Sequence, residues 1–301
     1  MENQMPSFIY PATAELKRAL RESTLQTDDD TEIYYQYAKQ PNNAELIIFI
    51  HGYSEHSDCY LSIMSWFFQR GYHVASFDVR GHGLSSGERG FITHFKTYSS
   101  DLHQVITAIQ QQCQSRTINL LAHSNGGLLT CYYLLTHEKA HHPQRLILSA
   151  PYLGTHPKIL PIKPLQWFLT QATKLYPKLL LPKKAKHVNL THDESIMKKI
   201  AADKKRLNAT SILWFLAAKE AQDTVFKCAK HWPNIPVLMI TAENDVLADN
   251  QKIQQFFDTI PSPGKLTIAP PGAYHEVLNE LDRETTYQHI LDWLITTPCH
   301  D

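Results

Sequence analysis

The sequence carries no net charge: 29 lysines and arginines balance 29 aspartates and glutamates. It therefore has no global field to draw it onto nucleic acid, and no nucleic-acid partner is expected. No apolar stretch approaches the roughly 20 residues that a helix needs to cross a bilayer. The first residues, Met1-Glu2-Asn3-Gln4-Met5-Pro6, have neither a basic region nor an apolar core of signal-peptide length. The five cysteines (Cys59, Cys113, Cys131, Cys228, Cys299) are odd in number and show no C-x-x-C spacing. They read as reduced thiols, which together with the missing leader gives an expected cytoplasmic location. Two glycosylation sequons, Asn189-Leu190-Thr191 and Asn208-Ala209-Thr210, carry no weight without a leader. There are no internal repeats and no low-complexity segments. A chain of 301 residues, 43% of them hydrophobic, suffices for one large core.

The most informative segment that is present is Leu120-Leu121-Ala122-His123-Ser124-Asn125-Gly126-Gly127. An apolar run ends in a serine flanked by small residues, and an amphipathic run, Leu128 onward, follows at once. This reads as strand, sharp turn and helix, with Ser124 at the tip. It is the nucleophile elbow, G-x-S-x-G, with Ala122 in place of the first glycine. Small residues are needed because bulk two positions either side of the serine collides where strand packs on helix. The turn also sets the hydroxyl near a helix N-terminus, whose partial positive charge favours a developing oxyanion.

An elbow serine needs a base and an acid, which follow in the order Ser, Asp or Glu, His. Val237-Leu238-Met239-Ile240-Thr241 reads as a buried strand and leads into Ala242-Glu243-Asn244-Asp245. Lys265-Leu266-Thr267-Ile268-Ala269 reads as another and leads into Pro270-Pro271-Gly272-Ala273-Tyr274-His275-Glu276. Asp245 and His275 thus each follow the C-terminal end of a strand, the edge along which open α/β sheets build their sites. Asp249 and Glu243 compete for the acid role. Asp249 is expected instead to cap a helix over Asn250–Thr259, and Glu276, adjacent to the histidine, is expected to point elsewhere. Upstream, Leu46-Ile47-Ile48-Phe49-Ile50 runs into His51-Gly52-Tyr53-Ser54-Glu55-His56-Ser57. A His-Gly turn after such a strand supplies one oxyanion-hole amide, here the Tyr53 N–H. The Asn125 N–H supplies the second.

With Asp78-Val79-Arg80-Gly81-His82-Gly83-Leu84-Ser85-Ser86-Gly87 and Gly272-Ala273-Tyr274-His275-Glu276 added, the chain resembles the monoglyceride lipase and lysophospholipase L2 group of α/β-hydrolases. The resemblance spans roughly residues 32–294 and is weakest in the middle; the ending looks most like the lysophospholipase side. It implies an α/β-hydrolase fold and a monoacyl lipid substrate, a lysophospholipid or a monoacylglycerol. It also implies that Asp78, Arg80 and His82 brace loops rather than take part in chemistry.

The coarse order agrees with an α/β architecture: a mostly parallel sheet with helices on both faces. Strands are expected near Thr24 and at Glu32–Ala38, Leu46–Ile50, 74–77, 118–121 and Arg145–Ser149. Helices are expected at 60–70, 94–113, 126–138 and Arg283–Thr296. Residues 1–150 and 233–301 form the expected core, and 151–232, in which no strand is evident, the expected helical cap. Its first part, 151–192, has no acidic residue but seven lysines: Lys158, Lys163, Lys174, Lys178, Lys183, Lys184 and Lys186. Leu165, Phe168, Leu169, Ala172 and Leu175 fall on one helical face. Either that face packs on the core and the lysines are solvated, or the face admits acyl chains and the basic rim meets anionic headgroups. A second helix from Ser211 to Ala218 is expected to complete an acyl pocket.

One motif competes. His137-Glu138-Lys139-Ala140-His141 matches H-E-x-x-H, the zinc-protease helix signature. No acidic residue follows until Asp193, and the motif lies about 20 Å along the elbow helix from Ser124. The expected mechanism therefore needs no metal and no organic cofactor. Ser124 attacks, His275 takes its proton, Asp245 orients His275, and water releases the acyl-enzyme. The sequence leaves open a peptidase or acyltransferase of the same fold, and a non-catalytic ligand-binding or scaffold protein.

Overall fold

The computed structural model describes residues 9–159, 171, 176, 178–182 and 190–299. Its central sheet has the order β1-β2-β4-β3-β5-β6-β9-β10. The strands are β1 (Arg21–Gln26), β2 (Glu32–Ala38), β3 (Leu46–Ile50), β4 (His73–Phe77), β5 (Ile118–His123), β6 (Arg145–Ser149), β9 (Val237–Ile240) and β10 (Leu266–Ile268). The pairs β1–β2 and β2–β4 are antiparallel and the remainder parallel.

Every residue of β3, β4, β5, β6 and β9 is buried, as expected of parallel strands covered on both faces. The period-two alternation sorts β3 between two cores. Leu46, Ile48 and Ile50 join the layer of α3 (Phe95–Cys113), α4 (Asn125–Thr136), α6 (Ile212–Cys228) and α7 (Asn250–Thr259). Ile47 and Phe49 join the opposite layer, with α1 (Ala14–Ala19), α2 (Leu61–Phe68) and α8 (Arg283–Thr296). Register aligns the strand ends: Ile50 pairs with Phe77 and with Ala122, and His123 with Ser149. The segments after β3, β4, β5, β6, β9 and β10 therefore leave the sheet along one edge.

Two expectations are corrected. The elbow helix is buried at 125–131, 133 and 134 rather than amphipathic, because it lies between α3 and α6. The stretch between β6 and β9 contains strands after all: β7 (Leu180–Pro182) pairs antiparallel with β8 (Ala209–Ser211). Three-residue strands are too short to show alternation, and a proline in one hides it further. The same stretch holds α5 (Glu194–Ala202), capped by Asp193, and α6, capped by the Ser211 hydroxyl, which accepts from the Trp214 N–H at 3.0 Å. The apolar helical face expected at Leu165–Leu175 lies outside the described residues.

Candidate active site

β5 ends at His123, and α4 begins at Asn125, so a single residue makes the turn. Ser124 takes φ 50° and ψ −117°, a region that non-glycine residues enter at a cost of order 1–3 kcal/mol. The flanking small residues show why the strain is held. A Cβ on Gly126 would lie 2.4 Å from the Ile50 carbonyl oxygen and 2.7 Å from that of His51. The start of α4 is thus pressed against the end of β3. A Cβ on Gly127 would lie 2.7 Å from Pro151 Cβ. Ala122 is fully buried and tolerated, so the elbow accepts a methyl two residues before the serine but not two residues after it.

The three expected side chains meet in one hydrogen-bonded line. His275 Nδ1 lies 2.7 Å from Asp245 Oδ2, and His275 Nε2 lies 2.8 Å from Ser124 Oγ. The carboxylate is an acceptor, so the ring proton sits on Nδ1 and Nε2 is left to accept the serine proton. Asp245 is held from behind: its Oδ1 accepts from the Leu247 and Ala248 N–H groups at 2.7 and 2.9 Å. Burial disfavours charge on both groups, but the Asp245–His275 contact outweighs it. Asp245 is lowered from the ordinary carboxyl range and His275 is raised above the ordinary imidazole value. His123, whose ring centroid is 4.9 Å from that of His275, is driven down to about 4 by burial, so it stays neutral beside the site.

The two residues expected to supply oxyanion amides flank this line. Asn125 opens α4, where a first-turn N–H has no intrahelical acceptor. Tyr53 follows Gly52, whose added Cβ would meet Ser124 Cβ at 3.1 Å, so this turn lies directly against Ser124. The Tyr53 ring packs on Trp214 of α6 at 3.8 Å between centroids, and its hydroxyl donates to the Gly90 carbonyl at 3.1 Å. Sequence reasoning gave no role to Glu55 or Arg206 beneath the turn. Arg206 carries no motif, and only the fold brings it there.

The competing residues are placed elsewhere. Asp249 caps α7, accepting from the Gln251 and Lys252 N–H groups at 2.9 and 3.4 Å. Glu243 accepts from the Gly272 N–H. Glu276 turns away from Ser124 toward Arg206 and Asn279. Asp78 braces two loops through the Ser57 and Leu84 N–H groups, and Arg80 is paired with Asp29 and Asp101. A cleft of about 580 Å³ lined by Arg80, Lys96, Asp101, Tyr132 and Glu220 contains none of the triad residues. The Arg80 guanidinium at this cleft is already paired with Asp29 and Asp101.

The H-E-x-x-H match is not helical. α4 ends at Thr136, and His137 is its extended C-cap. Its two imidazoles, those of His137 and His141, each stack on His103 of α3 instead, at 4.5 and 4.7 Å between centroids. The expected nucleophile, base and oxyanion donors are all groups of the chain itself. Turnover is therefore expected to be unchanged in excess EDTA, measured against an untreated control. Inhibition that added zinc reverses would restore the metal reading.

Comparison with known proteins gives the same picture. The sequence model of the family described as serine aminopeptidase, S33, matches residues 41–282. An abhydrolase domain-containing protein of Dictyostelium discoideum is 28% identical over 278 residues, covering 90% of this chain and 28% of that protein's length. A probable lysophospholipase L2 of Haemophilus influenzae is 27% identical over 269 residues, covering 83% of this chain and 84% of that one. A soluble variant of monoglyceride lipase from Saccharomyces cerevisiae, solved with a substrate analog, superposes with a TM-score of 0.84 at 20% identity, covering 97% and 99% of the two chains. At that identity the likeness carries the fold, which is that of an α/β-hydrolase. With the family match extending from before β3 to the start of α8, the chain belongs to the serine aminopeptidase S33 family of α/β-hydrolases.

Proposed function

We propose that the protein is a serine carboxylester hydrolase that cleaves the acyl ester of a monoacyl lipid, a lysophospholipid or a monoacylglycerol. The observation that carries this reading is the hydrogen-bonded line Ser124–His275–Asp245 at a strained elbow. His275 Nε2 takes the Ser124 proton as Oγ attacks the ester carbonyl, and Asp245 stabilises the imidazolium. The Tyr53 and Asn125 amides hold the oxyanion. The imidazolium returns its proton to the leaving alcohol, and water, activated the same way, releases the fatty acid. The names of the relatives, lysophospholipase and monoglyceride lipase, support the substrate class. The deciding experiment is turnover on a panel of monoacylglycerols, lysophospholipids, short p-nitrophenyl esters and aminoacyl p-nitroanilides. Ester cleavage without anilide cleavage is the expected result. Anilide cleavage alone would make the protein a peptidase, and acyl transfer to an added alcohol in place of water would make it a transferase.

In this reading residues 151–232 form a cap over the core and govern substrate class and contact with lipid surfaces. Ile159, Tyr176, Leu179 and Leu180 are exposed large apolar side chains in this stretch, which supports such contact. Lys158 is exposed, and Lys178 pairs with Glu88 at 2.7 Å. Lys163, Lys174, Lys183, Lys184 and Lys186 lie outside the described residues. Among the described residues no helix is long and apolar enough to cross a membrane, and the proposed contact is a peripheral one. Near an anionic surface each basic residue contributes about 1 kcal/mol, screened over roughly 8–10 Å by salt. Replacing Lys183, Lys184 and Lys186 by glutamine is expected to weaken sedimentation with anionic vesicles, most at low salt. Hydrolysis of a short soluble ester should stay the same. Binding indifferent to both salt and the triple change would leave these lysines as a solvated face.

A further inference from the structure

Beneath the oxyanion turn lies a buried group of charges that the proton relay does not use. Glu55 Oε2 accepts from the Gly52 N–H at 2.7 Å and from the Tyr60 hydroxyl at 2.8 Å. The Gly52 carbonyl accepts in turn from the Glu55 N–H at 3.2 Å. It also accepts from His51. The Val79 N–H donates to His51 Nε2 at 2.8 Å, so the ring proton sits on Nδ1, 2.7 Å from that carbonyl oxygen. Both polar ends of Gly52 are therefore pinned. The peptide unit that holds the Gly52 carbonyl is the one that holds the Tyr53 N–H, and peptide units are planar. Fixing the carbonyl fixes the direction in which that N–H points. No side chain fits at this position, since a Cβ on Gly52 would lie 2.9 Å from Glu55 Oε2 and 3.2 Å from His123 Cδ2.

A carboxylate in this place needs a counter-charge. The Glu55 side chain is only 3% exposed, and burial alone would drive it to its neutral, poorly accepting form. Arg206, in the segment between α5 and β8, supplies the cation. Its guanidinium lies 3.5 Å from Glu55 Oε1 and 3.3 Å from Glu276 Oε1, and is itself 9% exposed. Against the burial penalty, Arg206 holds Glu55 well below the usual carboxyl range, whereas burial and the Glu55 charge push Glu276 up to about 7. Asn279 also donates to Glu276 Oε2 at 2.9 Å. Glu55, His123 and Glu276 also place ligand atoms within 4.8 Å of one another, but the guanidinium already supplies the positive charge there.

We propose that Glu55 is a positioning residue that aims the Tyr53 N–H by holding Gly52, and that Arg206 of the insertion holds the Glu55 carboxylate in place. The proposal rests on the reading of Tyr53 and Asn125 as the oxyanion hole of an ester hydrolase. It makes the seating of the insertion a condition for a formed hole. One ion-paired group ties that insertion both to the turn before Tyr53 and to the residue after His275.

The test compares two substitutions in the full chain. Glu55→Gln and Glu55→Met both remove the charge and expose Arg206 to the same loss, but only glutamine keeps an oxygen for the Gly52 N–H. On p-nitrophenyl butyrate, Glu55→Met is expected to lower kcat on the order of 100-fold, the typical effect of losing one oxyanion donor. KM should change by less than about twofold, because the interaction is made in the transition state. Glu55→Gln is expected to stay within about tenfold of the parent, since a neutral acceptor retains much of the hydrogen bond. The rate at which a fluorophosphonate labels Ser124 should fall in parallel with kcat. Arg206→Met should lower kcat with KM unchanged. Where Glu55→Met does not fold, the same comparison is read in an Arg206→Met background, which removes the uncompensated guanidinium from both members. Equal kcat for the glutamine and methionine variants, or a loss confined to KM, overturns the role of Glu55. An unchanged kcat in Arg206→Met overturns the role of Arg206. Failure of the parent chain to label at Ser124 overturns instead the hydrolase reading on which the proposal rests.

Discussion

Ser124→Ala is expected to abolish ester hydrolysis, with kcat falling on the order of 10⁴-fold or more, while the protein stays folded. The size follows from what remains. Without Oγ no acyl-enzyme forms, and His275 has only water to activate. The oxyanion amides and the substrate-binding surfaces are untouched, so the residual rate is that of a pre-organised hole acting on water. Stability should change little. Oγ makes its hydrogen bond to His275 Nε2, and the backbone conformation that alanine inherits is enforced by the approach of Gly126 to the Ile50 and His51 carbonyls. Fluorophosphonate labelling should disappear together with turnover, and circular dichroism and melting temperature should match the parent. A folded variant that retains most of its turnover would remove Ser124 from the nucleophile's role and reopen the non-catalytic reading.

How much of this site is legible in the sequence depends on what each residue owes to its neighbours along the chain. Ser124, Asp245 and His275 were legible because each follows an apolar run whose end fixes its place on the sheet edge. β3 and β6 coincide with the expected strands, because buried parallel strands are continuous apolar runs bounded by polar turns. The distinction between Asp245 and Asp249 was also local, since a capping aspartate precedes the helix it caps. Arg206 was not legible. It owes its place to packing between the insertion and the core, and nothing in its own segment signals a buried cation. Glu55 stood in the right turn, but its role depends on a carboxylate folding back three residues onto Gly52, which no periodicity encodes. β7 and β8 failed for a third reason, being shorter than the pattern that identifies a strand.

Asp245→Asn is expected to lower kcat by roughly 10³–10⁴-fold, and Asp249→Asn to have a far smaller effect. An amide at position 245 can present its NH₂ to His275 Nδ1, which favours the tautomer with the proton on Nε2. That nitrogen then cannot accept from Ser124 Oγ at 2.8 Å, and the base is lost although its position is kept. Charge is lost as well. Asp245 holds His275 above the ordinary imidazole value against the opposing effect of burial, so its removal should lower the His275 value. The residual activity of Asp245→Asn should therefore persist to lower pH than that of the parent, because protonation of the free base now occurs at more acid pH. The two loops differ structurally too. Asp245 Oδ1 organises its own turn through Leu247 and Ala248, and asparagine can keep those two bonds through its carbonyl oxygen. Asp249 bonds only the first turn of α7 among the described residues, so asparagine, itself a good cap, should preserve both fold and turnover. Measuring kcat against pH for both variants on one soluble ester separates the two roles. A large loss in Asp249→Asn with a mild one in Asp245→Asn would move the acid four residues along the loop and leave the Asp245–His275 contact without a catalytic part.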